Sequence, residues 1–377
     1  MRLPSCQSSG SARPRFRGAI WPSSAAKWPR SSRVRFGLSV WPDIGTIWPG
    51  STLEVALRVG LDIGCSNLKL VYGDTEPTQL VRPVGAGPRN RMPVSGEGDT
   101  NDLTVTIDGE DWAACVEPSK LQEWPRELHA DYPSSTSYRA LFYAATILCG
   151  SPTIDCLVTG LPVSQWNDAA RRARLQKQLT GEHQVTRRRS VSVKKVVVLA
   201  QPLGAYLDYL NNCDHPDMLR EARVVVVDPG FFSVDFVAIE DGAVLQSTSG
   251  SSTQAVSRVL ERLGSFVQSE YGANPGLEKL EWALRSGRDR ILVHGEQVQL
   301  SEFNGQAQRD VAPIALREIR TAMRVDDRPV DLVLIAGGGA KYYRDAVSEA
   351  FPKARVAASD EPVLANARGF WHATARR

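Results

Sequence analysis

The sequence predicts an α/β protein built as two related halves, and three features carry that reading. From Val55 onward, short apolar runs alternate with amphipathic stretches of helical period. Each half opens on one plan: RVGLDIGCSNLKLVYGD in the first and VVVVDPGFFSVDFVAIEDG in the second both read strand, acidic glycine turn, strand. Late in the second half, DLVLIAGGGAKYYRDAVSEAF adds a strand, a triple-glycine turn and a helix. The repetition lies in architecture more than in residues.

With 377 residues the chain is long enough for two or more domains, and 42% hydrophobic with 23% charged residues is the profile of a globular protein. A formal net charge of +3 gives no case for direct nucleic-acid binding, which is not expected. The six cysteines form no CxxC pair and the five histidines no HExxH, which argues against a zinc site and for reduced thiols in the cytoplasm. No apolar run approaches the ~20 residues that cross a bilayer.

Residues 1–54 stand apart. They hold eight Lys or Arg, no acid before Asp43, and four tryptophans (Trp21, Trp28, Trp41, Trp48), each followed by proline. In IWPSSAAKWP and VWPDIGTIWP the Trp-Pro pairs lie seven residues apart, and the second pair repeats the first after twenty residues. The segment follows neither structural period and is expected to be disordered. It lacks the apolar core of a signal peptide. One origin is a basic, aromatic arm for DNA. The other, carried forward here, is a start set too early, so that upstream DNA is read in frame; a seven-codon spacing is about two turns of duplex at roughly ten base pairs per turn. Deleting the residues before Val55 is expected to leave the melting temperature nearly unchanged, as calorimetry would show.

The elements follow in order. RVGLDIG is a buried strand, GCSN a tight turn, and LKLVYGD a strand pairing back. A Gly/Pro-rich stretch at 76–133 holds one hairpin, LTVTIDGEDWAACV, turning at Asp108-Gly109. SYRALFYAATILCG is helical, IDCLVTGLP a strand, and WNDAARRARLQKQLTG one amphipathic helix ending at Gly181. VSVKKVVVLAQP is one strand leading into the helix PLGAYLDYL, and NNCDHPDMLREA is a polar loop. In the second half the hairpin from VVVVDPG precedes a long helix over SSTQAVSRVLERLGSFVQSEYG, then more helix, a small hairpin and the glycine turn. EPVLANARGFWHATARR is a closing helix.

Four signals bear on chemistry. LDIGCSNLK sets Asp62, Gly64, Cys65, Ser66, Asn67 and Lys69 around the first turn. AQPLGAYLDY puts Gln201 at a strand-to-helix junction, DPG puts Asp228 and Gly230 on the matching second turn, and LIAGGGAKYY puts Gly337, Gly338 and Gly339 before a helix. Taken alone, VVVVDPGFFSVDF fits a hairpin that happens to carry an acid. It equally fits a strand end presenting a carboxylate and backbone N–H groups to phosphate.

In this order and spacing the set resembles the actin-like ATPase superfamily, and within it the ParM/StbA plasmid-segregation branch. LVTGLPVSQW, LTGEHQV, AQPLGAYLDY, DPGFFSVDF and ANARGF are most similar to the PRTRC-system protein D group. The resemblance runs from about Val55 to the C-terminus. It implies the actin-like fold, two ribonuclease H-like α/β halves with a nucleotide cleft between them. The implied division is 55–211 with an insertion at about 76–133, 222–360 with a helical insertion at about 251–330, and a helix at 361–377 returning to the first half. It implies ATP as nucleotide, with Mg²⁺ held through water by Asp62 and Asp228. Gly64, Cys65, Ser66, Asn67, Lys69 and Gly230 fall to the phosphates, and Gly337, Gly338 and Gly339 to the adenosine. Gln201 orients the attacking water and Asp228 accepts its proton. The implied partners are further copies of the chain in a head-to-tail filament and a DNA-binding adaptor protein.

The chain departs from that pattern where many relatives carry Gly and Thr: Phe231 and Phe232 stand there, and Pro229 removes an N–H donor. Cys65 stands where actin has a serine and reads best as a small packed side chain; the aromatic pair reads as packing between the halves. Arg187 to Arg189 and the Arg171 face read as solvated surface, His183 as a hydrogen-bonded structural residue, and Trp112 and Trp124 as subdomain core. Two rivals share the fold. A metabolite kinase would need a further carboxylate base, and no GxD-type motif follows LVTGLP. A nucleotide-binding scaffold with weak hydrolysis would suit Pro229 and the aromatic pair.

Overall fold

The computed structural model describes residues 56–92, 102–121, 129, 131–323 and 328–375. The expectations for residues 1–54 and for Trp124 lie outside them. In the first half, β1 (Arg58–Ile63), β2 (Asn67–Gly73) and β3 (Thr78–Pro83) form an antiparallel meander. β4 (Gly85–Pro88), β5 (Leu103–Ile107) and β6 (Glu110–Val116) make a small sheet, turning at Asp108 and Gly109, both at positive φ. Then come α1 (Thr136–Leu148), β7 (Thr153–Ile154), β8 (Cys156–Leu161), α2 (Val163–Trp166), α3 (Ala169–Leu179), β9 (Gly181–Thr186), β10 (Arg189–Val193), β11 (Val196–Ala200) and α4 (Gln201–Asn212). A short α5 (Pro216–Glu221) leads to the second half.

There β12 (Val224–Pro229), β13 (Val234–Glu240) and β14 (Ala243–Ser252) form the matching meander. They are followed by α6 (Val256–Tyr271), α7 (Leu277–Arg285), β15 (Arg290–Val293), β16 (Glu296–Gln299), α8 (Ser301–Met323), β17 (Leu332–Ile335), α9 (Ala340–Ala350), β18 (Arg355–Ala358) and α10 (Ala365–Thr374). The two large sheets share one order, β3-β2-β1-β8-β11 and β14-β13-β12-β17-β18. In each, the central strand is antiparallel to the meander and parallel to the next strand in the other direction. Both central strands are buried along nearly their whole length, which is why RVGLDI and VVVVDP read as unbroken apolar runs up to their acid.

Four expected elements differ. The helix from Trp166 to Gly181 is two, because Asp168 leaves helical geometry and its carboxylate caps α3 by accepting the Ala170 and Arg171 N–H groups at 2.8 and 3.3 Å. Gly181 opens β9 instead of closing the helix. VSVKKVVVLAQP is two strands: β10 joins the small β7-β10-β9 sheet and β11 the large one, the chain changing sheets at Lys194-Lys195. The loop NNCDHPDMLREA contains α5, started by Pro216 and closed by an Asp217–Arg220 pair at 2.8 Å. The long helix begins only at Val256, since Ser251 and Ser252 still pair with β13.

The residues expected to be structural or solvated are each engaged by neighbours. His183 is buried, hydrogen-bonded to the Leu179 carbonyl at 3.0 Å and edge-on to Phe142. Trp112 is buried in the first-half core. Arg187 pairs with Asp111, and Arg171 with Asp131 at 3.0 Å.

Candidate functional site

The last buried residue of each central strand's valine-rich or leucine-rich run is followed by an aspartate, and the two aspartates face one cleft. Asp62 pairs in register with Lys69 across the first hairpin, and Asp228 with Asp235 across the second. At matched positions the first half therefore sets an ammonium beside its acid and the second half another carboxylate.

Asp62 is 2% exposed and fully engaged: Lys69 Nζ lies 3.0 Å from Oδ2, and Gln201 Nε2 donates to Oδ1 at 3.0 Å. Gln201 can reach because it is the first residue of α4, directly after β11. Lys69 folds beneath the first turn so closely that a Cβ on Gly64 would stand 2.9 Å from its ammonium. That turn is closed by the Gly64 N–H donating to the Asn67 carbonyl at 3.1 Å.

Asp228 is also buried, at 6% exposed. Asn366 Nδ2 donates to its Oδ2 at 2.7 Å, while Oδ1 lies against Gly337, where a Cβ would approach to 2.1 Å. Gly337 has φ +72°, so glycine is required there on both counts. Burial, the largest influence, pushes the Asp228 carboxyl up to about 7, opposed by the Asn366 bond and helped by the nearby Asp62 and Asp235 charges. The native state therefore keeps a proton that the unfolded chain releases above the ordinary 3.8, and this group's stabilising contribution is full below that value and lost as pH rises through 7. Asp228→Asn is accordingly expected to raise the melting temperature of the nucleotide-free protein at pH 8, with the gap closing toward pH 5. An equal gap at both pH values would mean that Asp228 is already ionised at pH 5.

The twelve residues singled out from the sequence all line one cleft of about 1190 Å³: Asp62, Gly64, Cys65, Ser66, Asn67 and Lys69 on one wall, Gln201 at its base, Asp228 and Gly230 opposite, and Gly337, Gly338 and Gly339 beyond. One expectation needs correction. Most of the glycine amides do not face the cleft: Gly230 N–H donates to Ser233, Gly337 N–H to Pro362 and Gly339 N–H to Pro229, at 2.8, 2.9 and 2.9 Å. The glycines permit close approach, and these three amides are spent on backbone carbonyls of the protein itself. Phe231 packs into the second-half core rather than between the halves, while Phe232 stays half-buried on the cleft. Cys65 packs against the cores of both halves.

Sequence reasoning missed three groups. Asp235, 2% exposed, accepts hydrogen bonds from the Ser233 hydroxyl at 2.6 Å, the Ser251 hydroxyl and the Val163 N–H at 2.7 Å, tying β13 to the start of α2. Burial raises its carboxyl above the usual range. Its signal was a lone acid inside the apolar run FFSVDFVAI. From α7, buried Glu281 accepts the Ser66 hydroxyl, and Arg285 donates to the Ser66 carbonyl and Asn67 Oδ1, both at 3.3 Å, and pairs with Glu117. Their i,i+4 spacing in LEKLEWALR was visible, but not the wall they would face. The third is Asn366.

Among the described residues no group of three or more His, Cys, Asp or Glu could hold a metal directly. Two buried carboxylates of hard oxygen character, each keeping its hydrogen-bond partner, fit a cation gripped through its water shell, as Mg²⁺ prefers.

The family described as actin-like proteins N-terminal domain matches residues 60–204, and the archaeal actin homologue MreB-like C-terminal family matches residues 226–349. No curated protein matches the chain. Among solved structures, the archaeal actin homolog Ta0583 in complex with ADP aligns at TM-score 0.67 and 19% identity, over 85% of this chain and 99% of its own. A non-polymerisable quadruple mutant of pCBH ParM aligns at 0.67 and 17%, over 85% and 99%. A ParM from a 15-stranded Clostridium botulinum filament aligns at 0.65 and 17%, over 84% and 98%. Two paired sheets of one topology, their acids turned to a common cleft, and two successive domain matches place this chain in the actin-like family.

Proposed function

We propose that the chain binds ATP with Mg²⁺ in this cleft, hydrolyses it, and couples the cycle to head-to-tail assembly in plasmid segregation or maintenance. The observation that carries the reading is the convergence of all twelve residues on a cleft lined by two buried carboxylates from opposite sides. Support also comes from relatives solved with ADP and as a filament.

In this reading Ser66, Phe232 and Gly338 offer N–H groups to the phosphates and Lys69 adds positive charge. The metal, when bound, neutralises phosphate charge, and Asp62 and Asp228 hold its waters. Gln201 orients the attacking water. Asp228 is suited to accept the proton because its carboxyl, near 7, matches a working pH in that range. Glu281 and Arg285 close the cleft from the α7 side. We assign the chain to the cytoplasm; no described helix is long and apolar enough to cross a membrane. The nearness to PRTRC-system protein D, the division into 55–211, 222–360 and 361–377, and an adaptor that links the filament to DNA belong to the same proposal.

A second reading, a nucleotide-binding scaffold with weak hydrolysis, draws on Pro229, which has no N–H, and on Gly230, whose N–H is spent on Ser233. Light scattering and sedimentation of purified protein with ATP, GTP or neither separate the two. Polymer that forms with ATP and decays as phosphate is released supports the first reading; polymer or thermal stabilisation without phosphate release supports the second. Turnover only with an added sugar would instead indicate a kinase.

A further inference from the structure

We propose that Asn366 is the positioning residue of this site: it sets the single orientation of the Asp228 carboxylate and ties it to α4, hence to Gln201 and Asp62. The inference rests on the cleft being the nucleotide site. Asn366 belongs to the ANARGF stretch, to which the functional reading gave no role. It is 4% exposed, and its Nδ2 donates to Asp228 Oδ2 at 2.7 Å inside the protein. The amide nitrogen is the end that faces the carboxyl, the arrangement that the ionised form, able only to accept hydrogen bonds, requires. One oxygen is thus held by Asn366 while the other lies against Gly337, which sets the plane of the carboxyl from both sides.

The position of Asn366 is in turn fixed by backbone. α10 crosses α4 so closely that a Cβ on Gly204 would lie 2.6 Å from the Asn366 carbonyl oxygen and 2.8 Å from its Cα. A Cβ on Gly369 would lie 1.7 Å from the Gly204 carbonyl oxygen, so both helices need glycine at the crossing. On its other side α10 lies against β1, where a Cβ on Gly60 would stand 2.1 Å from the Ala367 carbonyl oxygen. Rolling of α10 is blocked by Arg368, whose guanidinium bonds both oxygens of buried Asp208 on α4, at 2.9 and 2.8 Å. Gly204 lies one turn after Gln201, which donates to Asp62. The acids of the two halves are thus linked through one crossing, and Asn366 is the only side chain that completes the link to Asp228 among its hydrogen-bond partners in the described residues.

Asn366→Leu keeps the side-chain size and removes the donor; Asn366→Ala, smaller, is carried in parallel in case leucine prevents folding. Each is expected to lower single-turnover ATP hydrolysis by about ten- to hundredfold, the usual range for an outer partner of a reacting site, with ATP affinity within about threefold of wild type. In an Asp228→Asn background the same substitutions should lower the rate no further, because their effect passes through Asp228. An equal loss in both backgrounds, or an unchanged rate in the wild-type background, overturns the proposal. Crystal structures of the nucleotide-free wild type and variant give a readout independent of turnover: the Asp228 carboxylate should turn away from Gly337 in the variant, and an unmoved carboxylate refutes the role. If the wild type hydrolyses no nucleotide, the functional reading falls while the crystallographic comparison still decides for or against Asn366.

Discussion

Asp228→Ala and Gln201→Ala are each expected to retain ATP binding while losing hydrolysis by roughly a hundred- to a thousandfold, the effect of about 2.7–4 kcal/mol for one preorganised polar contact at a reacting centre. The geometry gives each a separate reason. Gln201 holds Asp62 Oδ1 from the first residue of α4, so truncation frees the carboxylate on one side but leaves its Lys69 pair intact. Asp228→Ala removes the group suited to take the proton, and leaves Asn366 without its acceptor. In both variants, filaments formed with ATP should persist, whereas wild-type filaments should disassemble as nucleotide is spent. Single-turnover hydrolysis and sedimentation over time on the same samples read both effects. Unchanged turnover in both variants would remove Gln201 and Asp228 from the reaction. Lost turnover with no polymer in any nucleotide state would leave a nucleotide hydrolase without a filament role. Lys69→Ala should behave differently. It weakens ATP binding and also destabilises the fold by about 3–5 kcal/mol, because Asp62, 2% exposed, loses its cation.

The second large effect is expected at Gly338. Of the three consecutive glycines, Gly337 and Gly339 are held by packing: a Cβ would stand 2.1 Å from Asp228 Oδ1 at the first, and 2.5 Å from both the Pro229 carbonyl oxygen and Val256 Cγ2 at the last. At Gly338 the nearest atom is Val363 Cγ2 at 3.7 Å, an ordinary contact, and its φ lies outside the left-handed region. Gly338→Val therefore leaves the turn standing and places its branches in the cleft. ATP with Mg²⁺ at a hundredfold excess over the dissociation constant should stabilise the wild type by about 2.7 kcal/mol and this variant not at all, measured as thermal shifts. Gly337→Ala, by contrast, should lower the melting temperature without any nucleotide. An equal ATP-induced shift in wild type and Gly338→Val would place the nucleotide elsewhere.

Much of the fold was legible in the sequence because burial leaves a local mark. A central strand covered on both faces must be apolar throughout, so RVGLDIG and VVVVDPG stood out together with the acid that ends each run. The turns were legible for a similar reason, since Asp108-Gly109 and the triple glycine satisfy backbone demands that few other residues meet. The residues of the first, second and third glycine turns, with Gln201, could be named from the sequence because each sits at an element boundary, where a functional group interrupts a regular pattern.

Only the tertiary structure decided the rest. VSVKKVVVLAQP has strand character throughout, and nothing local records that Val193 pairs with Gly181 while Val196 pairs with Leu157 in another sheet. Which N–H groups face the cleft depended on whether each turn spends its own amides, and Gly230, Gly337 and Gly339 do. Asp235, Glu281, Arg285 and Asn366 were invisible as site residues because their partners lie 16 or more positions away, Ser251 being the nearest partner that lies outside the turn for Asp235 and Asp228 lying 138 positions from Asn366. Sequence determined where strands end in an acid or a glycine, since those are properties of a residue and its neighbours. Structure alone decided which of those ends meet, because a hydrogen bond across a cleft belongs to the packing of whole elements and leaves no periodic trace in either segment that makes it.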